Sequence, residues 1–125
     1  KTIIYSDDYY VFQIFINLID NAIKYTPSGE IKIVTGRNEK NELSVSVIDS
    51  GIGISKEFLP DMFNSFSQEE RGYTRSYEGN GLGLSLVINY CGLIGAQISV
   101  ESEKGKGSTF TITFPLNNVK STSTL

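Results

Sequence analysis

Three kinds of residue in this chain could do chemistry at close quarters. The first is a lone carboxylate, Asp49, in Asp49-Ser50-Gly51-Ile52-Gly53. It has no Lys or Arg near it in sequence, so in a semi-buried site it needs a hydrogen-bond donor. An exocyclic amine on a purine would serve, and glycines two and four residues on let backbone approach a flat ring. The second is a polar seam on an apolar segment: Asn17, Asn21 and Lys24 stand at i, i+4 and i+7, on one face of a helix. The third is Gly79-Asn80-Gly81-Leu82-Gly83, which opens a helix with bare N–H groups and so offers an anion site. Each also has an ordinary structural reading: a capped turn for Asp49, a solvated helix face for the amides, a hinge for the glycines. The glycine run lacks the third glycine of the dinucleotide fingerprint, where Leu84 stands, and lacks the Lys-Ser/Thr of a P-loop.

Composition narrows the chemistry. A chain of 125 residues has room for one sizeable core. It has no histidine, which excludes His-based metal sites and Ser-His or Cys-His nucleophiles. Its one cysteine, Cys91, lies in an apolar helical run and reads as a small buried residue in a reducing compartment. A net charge of −3 with scattered cations argues against nucleic acid as a partner. The 125 residues carry no signal-peptide pattern and no apolar run of membrane-spanning length.

The elements that must position these groups follow from periodicity. An extended piece over 1–6 precedes a helix capped by Asp7 and running to about Tyr25, where Pro27 and Gly29 stop it. That helix is apolar round most of its circumference: Phe12, Ile16, Ile19 and Ile23 form one stripe, Val11, Phe15, Leu18 and Ala22 another, and burial of both is expected. Two alternating strands, 30–37 and 42–49, form a hairpin across Asn38–Asn41, and the second delivers Asp49 on its apolar face. Residues 55–59 read as a helical turn stopped by Pro60. Residues 61–80 read as a long functional loop with Phe63 and Phe66 as anchors. A helix with Leu84, Val87, Ile88, Cys91 and Ile94 on one side follows, with Gly95 as its C-cap. Two more strands meet at Lys104–Gly107. In the last of them Phe110, Ile112 and Phe114 alternate with Thr109, Thr111 and Thr113, and the polar tail 117–125 reads as disordered. The order β-α-β-β-loop-α-β-β predicts an α+β two-layer sandwich, a mixed sheet with helices on one face.

Taken in order, the amide-lined helix, Asp-x-Gly-x-Gly, Phe-x-x-Phe, Gly-x-Gly-x-Gly and Gly-x-Gly-Ser-Thr-x-Phe resemble the catalytic ATP-binding domain of two-component sensor histidine kinases, within the superfamily of gyrase, mismatch-repair and chaperone ATPases. The resemblance runs from Asp7 to Phe114 and implies a Bergerat-type fold, with a catalytic domain over 1–116 and an ATP lid over 61–80. It implies ATP and Mg²⁺ as ligands, with Asn21 on the metal, Asn17 beside the reacting end of the triphosphate, Lys24 on phosphate and Tyr25 beside the nucleoside. Asp49 then accepts from the adenine amine, with Gly51, Gly53 and Ile54 along the base. Gly79, Gly81, Leu82, Gly83 and Leu84 wrap the triphosphate, Phe63 and Phe66 open the lid, and Thr109 closes the set. Arg71 and Arg75 lie in the lid, and either is placed to reach phosphate; Arg75 is the one carried into the site.

Hydrolysing relatives carry a glutamate at Asn17's position; an amide cannot act as a general base, so the site is suited to an acceptor other than water. Glu78 departs from the family pattern, where many members have a further glycine. The resemblance implies as partners a helical dimerisation domain bearing the acceptor histidine, absent here, and indirectly a response-regulator receiver. It also implies a homodimeric parent anchored in a bacterial inner membrane, with this piece a monomeric, cytoplasmic domain cut from it. The alternatives are a degenerate nucleotide-binding module without transfer and an anti-sigma-type serine kinase, the second disfavoured by the amide at Asn17.

Overall fold

The computed structural model describes residues 2–4, 8–55, 81–116 and 119–121. In chain order the elements are β1 (Thr2–Ile4), α1 (Asp8–Lys24), β2 (Ile31–Arg37), β3 (Leu43–Asp49), α2 (Gly81–Ile94), β4 (Gln97–Glu103), β5 (Gly107–Phe114) and β6 (Val119–Ser121).

Helix α1 carries Asp8 in its first turn and Lys24 in its last, both complementing the helix dipole. It buries Ile14, Leu18, Asn21 and Ala22, with Val11, Phe15 and Ile19 packed at the edge of the core. The expected burial of both stripes holds for one only. Phe12 is 60 % exposed and Ile23 57 %, and Ile16 is also exposed. Among the described residues the helix packs on one sheet and one neighbouring helix, and Phe12, Ile16 and Ile23 turn away from both.

Helix α2 buries Leu84, Val87 and Cys91, one side of the helix as its spacing predicts. It ends in a Schellman cap: Gly95 has φ +76°, Ala96 N–H donates to Cys91 O at 2.9 Å and Gly95 N–H to Gly92 O at 3.4 Å. Burial pushes the Cys91 thiol up to about 11. The rings of Tyr10 and Tyr90, with centroids 5.2 Å apart, join the start of α1 to α2. Among the described residues, no helix is long and apolar enough to cross a membrane.

The main sheet has the order β2-β3-β5-β4, and every neighbouring pair is antiparallel. This corrects the mixed sheet expected above. Strands β3 and β4 do run the same way, but β5 lies between them, so among the described strands there is no parallel ladder. Inward residues follow the two-residue period: Leu43, Val47 and Asp49 on β3, and Ser108, Phe110, Ile112 and Phe114 on β5. On the opposite face Ser46 and Thr111 hydroxyls meet at 2.8 Å. Strand β2 is at the edge, and its Ile33 and Val34 are exposed.

A second, two-stranded sheet pairs Thr2 with Ser121, Ile3 with Lys120 and Ile4 with Val119. Part of the tail expected to be disordered is therefore a strand. Its partner is at the other end of the chain, where local composition gives no hint of it.

Candidate functional site

Asp49 ends β3 in the inward register, opposite Ser108 of β5. Only 7 % exposed, its carboxylate Oδ1 accepts the Gly51 N–H at 2.9 Å, an Asx turn that starts the loop. Among the described residues no Lys or Arg forms an ion pair with it.

The loop is tied down at both sides. Ile52 N–H donates to Tyr25 O at 3.0 Å, fixing it to the end of α1. Gly105 N–H donates to Ile52 O at 2.7 Å, fixing it to the β4–β5 turn. A Cβ on Gly51 would collide with the Tyr25 carbonyl, and one on Gly53, where φ is +74°, would collide with the Glu103 carbonyl. These glycines were expected to admit a flat ring. In the structure they first admit the protein's own backbone.

Helix end, loop, turn and β5 enclose a cavity of about 220 Å³. Ala22, Tyr25, Ile52, Ile54 and Phe110 give it apolar walls, and Asn21, Asp49, Ser55, Lys104 and Ser108 supply polar groups, with Gly53 between them. A mostly apolar slot with a few fixed polar groups suits a flat heterocycle. Burial raises the Tyr25 phenol above its ordinary value.

Asn21 is 5 % exposed, and its Nδ2 is a buried donor with no hydrogen-bond partner among the described residues. A buried amide left unpaired is destabilising. The cavity thus holds a carboxylate available to a donor and an amide donor short of an acceptor. The two do not pair with each other. Thr26 Oγ1, beside the Gly51 position, is the other buried side-chain atom without a partner among these residues.

Of the residues singled out from sequence, Asn21, Tyr25, Asp49, Gly53 and Ile54 line this cavity. Gly51 lines a neighbouring groove with Pro27, Ser28, Ser50, Ile52, Lys104 and Gly105. Asn17 is half-buried one turn before Asn21, and its Nδ2 donates to Gln13 O at 2.7 Å. Lys24 is exposed at the end of α1. Leu84, expected among the residues that wrap the triphosphate, is 1 % exposed in the hydrophobic core. Thr109 alternates with Ser108 along β5, and it is Ser108 that lines the cavity. Gly81, Leu82 and Gly83 open α2. Phe63, Phe66, Arg71, Arg75, Glu78 and Gly79 lie outside the described residues, as do Asp7 and the helical turn expected at 55–59 beyond Ser55. Sequence reading missed Ala22, Ile52, Ser55, Lys104, Ser108 and Phe110. Ala22 and Phe110 carried the signal of core residues, and Ser108 shares the inward period of Phe110, Ile112 and Phe114.

Comparison with known proteins shows the family. Residues 6–118 match the model of the histidine kinase-, DNA gyrase B- and HSP90-like ATPases. The chain is 38 % identical over 120 residues to the autoinducer 2 sensor kinase/phosphatase LuxQ of Vibrio parahaemolyticus, covering 92 % of this chain and 14 % of that protein. It is 42 % identical over 118 residues to hybrid signal transduction histidine kinase B of Dictyostelium discoideum, covering 90 % and 6 %. The chain thus spans a small part of the length of these relatives. Among solved structures, the nucleotide-free catalytic domain of histidine kinase ThkA superposes with a TM-score of 0.69 at 30 % identity, covering 88 % of this chain and 68 % of that one. Full-length ShkA, solved in complex with AMPPNP, gives 0.69 at 27 % identity, covering 85 % and 21 %. With the family model, the relatives and the solved structures in agreement, the chain belongs to the histidine kinase-, DNA gyrase B- and HSP90-like ATPase family, in its sensor histidine kinase branch.

Proposed function

We propose that this domain binds ATP with Mg²⁺ and passes the γ-phosphoryl group to a histidine on a separate helical domain, as the catalytic part of a two-component kinase. The observation that carries the reading is the pair of complementary polar groups in one cavity, the Asp49 carboxylate and the unpartnered Asn21 amide. The carboxylate takes the adenine amino group while Tyr25, Ile52 and Ile54 cover the faces of the ring. The amide of Asn21 lies at the α1 wall, where the triphosphate leaves the cavity.

The unpartnered Asn21 atom is the Nδ2 donor, suited to a phosphate oxygen, while the side-chain oxygen of the same amide would hold a magnesium ion. Among the described residues no cluster of three or more His, Cys, Asp or Glu could hold a metal by itself. A single asparagine oxygen suits Mg²⁺, which draws its other ligands from phosphates and water. When bound, the ion supplies neutralisation of phosphate charge. The chain's own contribution is binding and alignment. Asn17 has an amide already engaged by Gln13 O and no basic atom with which to activate water. The reaction then breaks the bond from the γ-phosphorus to the ADP oxygen as a bond to the acceptor imidazole nitrogen forms.

Titration calorimetry with Mg²⁺ and a non-hydrolysable ATP analogue tests the reading. Asn21→Ala is expected to abolish Mg²⁺-dependent binding. Asp49→Asn is expected to weaken binding about tenfold or more, because an acceptor facing the amine becomes an amide that must reorient. Wild-type affinity in both variants would defeat the assignment.

A further inference from the structure

A small hydroxyl network behind the cavity determines which hydrogen-bonding character one of its walls presents. Ser102, half-buried on β4, has a single hydroxyl proton and two lone pairs. Its Oγ makes three contacts. It accepts the Ile54 N–H at 2.7 Å, donates to Gly107 O at 3.0 Å, and meets Ser108 Oγ at 2.7 Å. With its one proton on Gly107 O, Ser102 can only accept from Ser108. All three bonds form together under that assignment alone, and it saturates the oxygen.

The consequence falls on Ser108, which is 7 % exposed, lines the cavity and stands across from Asp49 in the β3–β5 ladder. Its proton is committed inward, toward Ser102. What it retains for a ligand is lone pairs. The carboxylate of Asp49 beside it is likewise an acceptor. We propose that Ser102 is a positioning residue for base selection: it holds the Ser108 hydroxyl as an acceptor, so that the wall around Asp49 favours a purine bearing a 6-amino group and disfavours one bearing a 6-oxo group. The same oxygen anchors the Ile54 N–H, so base selection and the position of the cavity lip depend on one side chain. The proposal rests on the nucleotide reading given above.

Deleting the Ser102 hydroxyl frees the Ser108 proton to turn toward Asp49 or toward the ligand. Either rotation costs the amine an acceptor or gives a 6-oxo group a donor. The test is the ratio of affinities for the Mg²⁺ complexes of ATP and ITP, measured by calorimetry on the whole chain. Ser102→Ala is expected to shrink the preference for ATP by about threefold to tenfold, the scale of one hydrogen bond. Ser102→Thr, which keeps the hydroxyl, is expected to restore it. An equal loss of both nucleotides with the ratio unchanged shows a merely structural role and overturns the proposal.

Ser108→Ala gives an independent answer should Ser102→Ala fail to fold. It removes the lone pairs and leaves Ser102 bonded to Ile54 and Gly107. Affinity for ITP is expected to rise relative to ATP, and the double variant to match Ser108→Ala alone. A relative loss of ITP means that Ser108 donates to the ligand and sinks the assignment. If the wild type binds neither nucleotide, the nucleotide reading itself fails and takes this inference with it. If it binds both and the variants leave the ratio fixed, only the inference fails.

Discussion

Asp49 and Asn21 were legible from sequence because each is a polar residue where its element's own period predicts burial. Asp49 follows Leu43, Val45 and Val47 at every second position, and Asn21 lies beside Leu18 and Ala22 on α1. Ser108 and Thr109 stand side by side in one motif, yet strand alternation sends them to opposite faces, and Ser108 is the one on the cavity side. Lys104 and Ile52 carry no periodic signal and reach the cavity only through the pairing of loop with turn. Cys91 gives a test at this scale. Its thiol is raised from 9.0 to about 11 by burial, so the neutral form is the one the fold favours. The associated stability is fully present below pH 9 and is lost as pH rises through about 11, an effect on the order of 2–3 kcal/mol. Melting curves of the wild type and Cys91→Ala between pH 8 and pH 11 should converge as the pH rises. A constant gap would show that the thiol is not shielded.

At the scale of elements, the loop after β3 is held by contacts that no substitution at Gly51 leaves intact. The Gly51→Ala methyl would meet the Tyr25 carbonyl, so the loop must move away from α1. We expect a loss of about 2–3 kcal/mol in urea denaturation, together with weakened nucleotide binding. Retention of both would mean that the loop can shift freely. The two stripes of α1 make a contrasting pair. Leu18→Ala, in the core, should cost about 2–5 kcal/mol, and Phe12→Ser, on the exposed stripe, no more than about 0.5 kcal/mol in the same assay. Sequence periodicity identified the helix and its length correctly. It could not tell which of two apolar stripes would find a partner, since that depends on how many layers the fold contains.

For the whole molecule, the two-layer arrangement was legible from the alternation of element types. The ladder pattern was not, because sequence fixes hairpins between neighbours but not the order in which hairpins join. The same limit hid the pairing of Thr2–Ile4 with Val119–Ser121. Removing 117–125 should abolish that small sheet and leave nucleotide affinity unchanged, since the described residues that line the cavity come from α1, the loop after β3, the β4–β5 turn and β5. A calorimetric loss of affinity on truncation would contradict the separation of the two sheets.

The insertion of β5 between β3 and β4 also has a consequence for a chain leaving the ribosome. The first hairpin can close early, yet the inner edge of β3 must wait, unpaired, while α2 and β4 are made. Until residues 107–114 emerge, that edge is open to other nascent chains, and substitutions that delay β5 should raise aggregation during synthesis more than they lower the melting temperature of the finished protein. Because β5 brings Ser108 and Phe110, the cavity is among the last features to be completed.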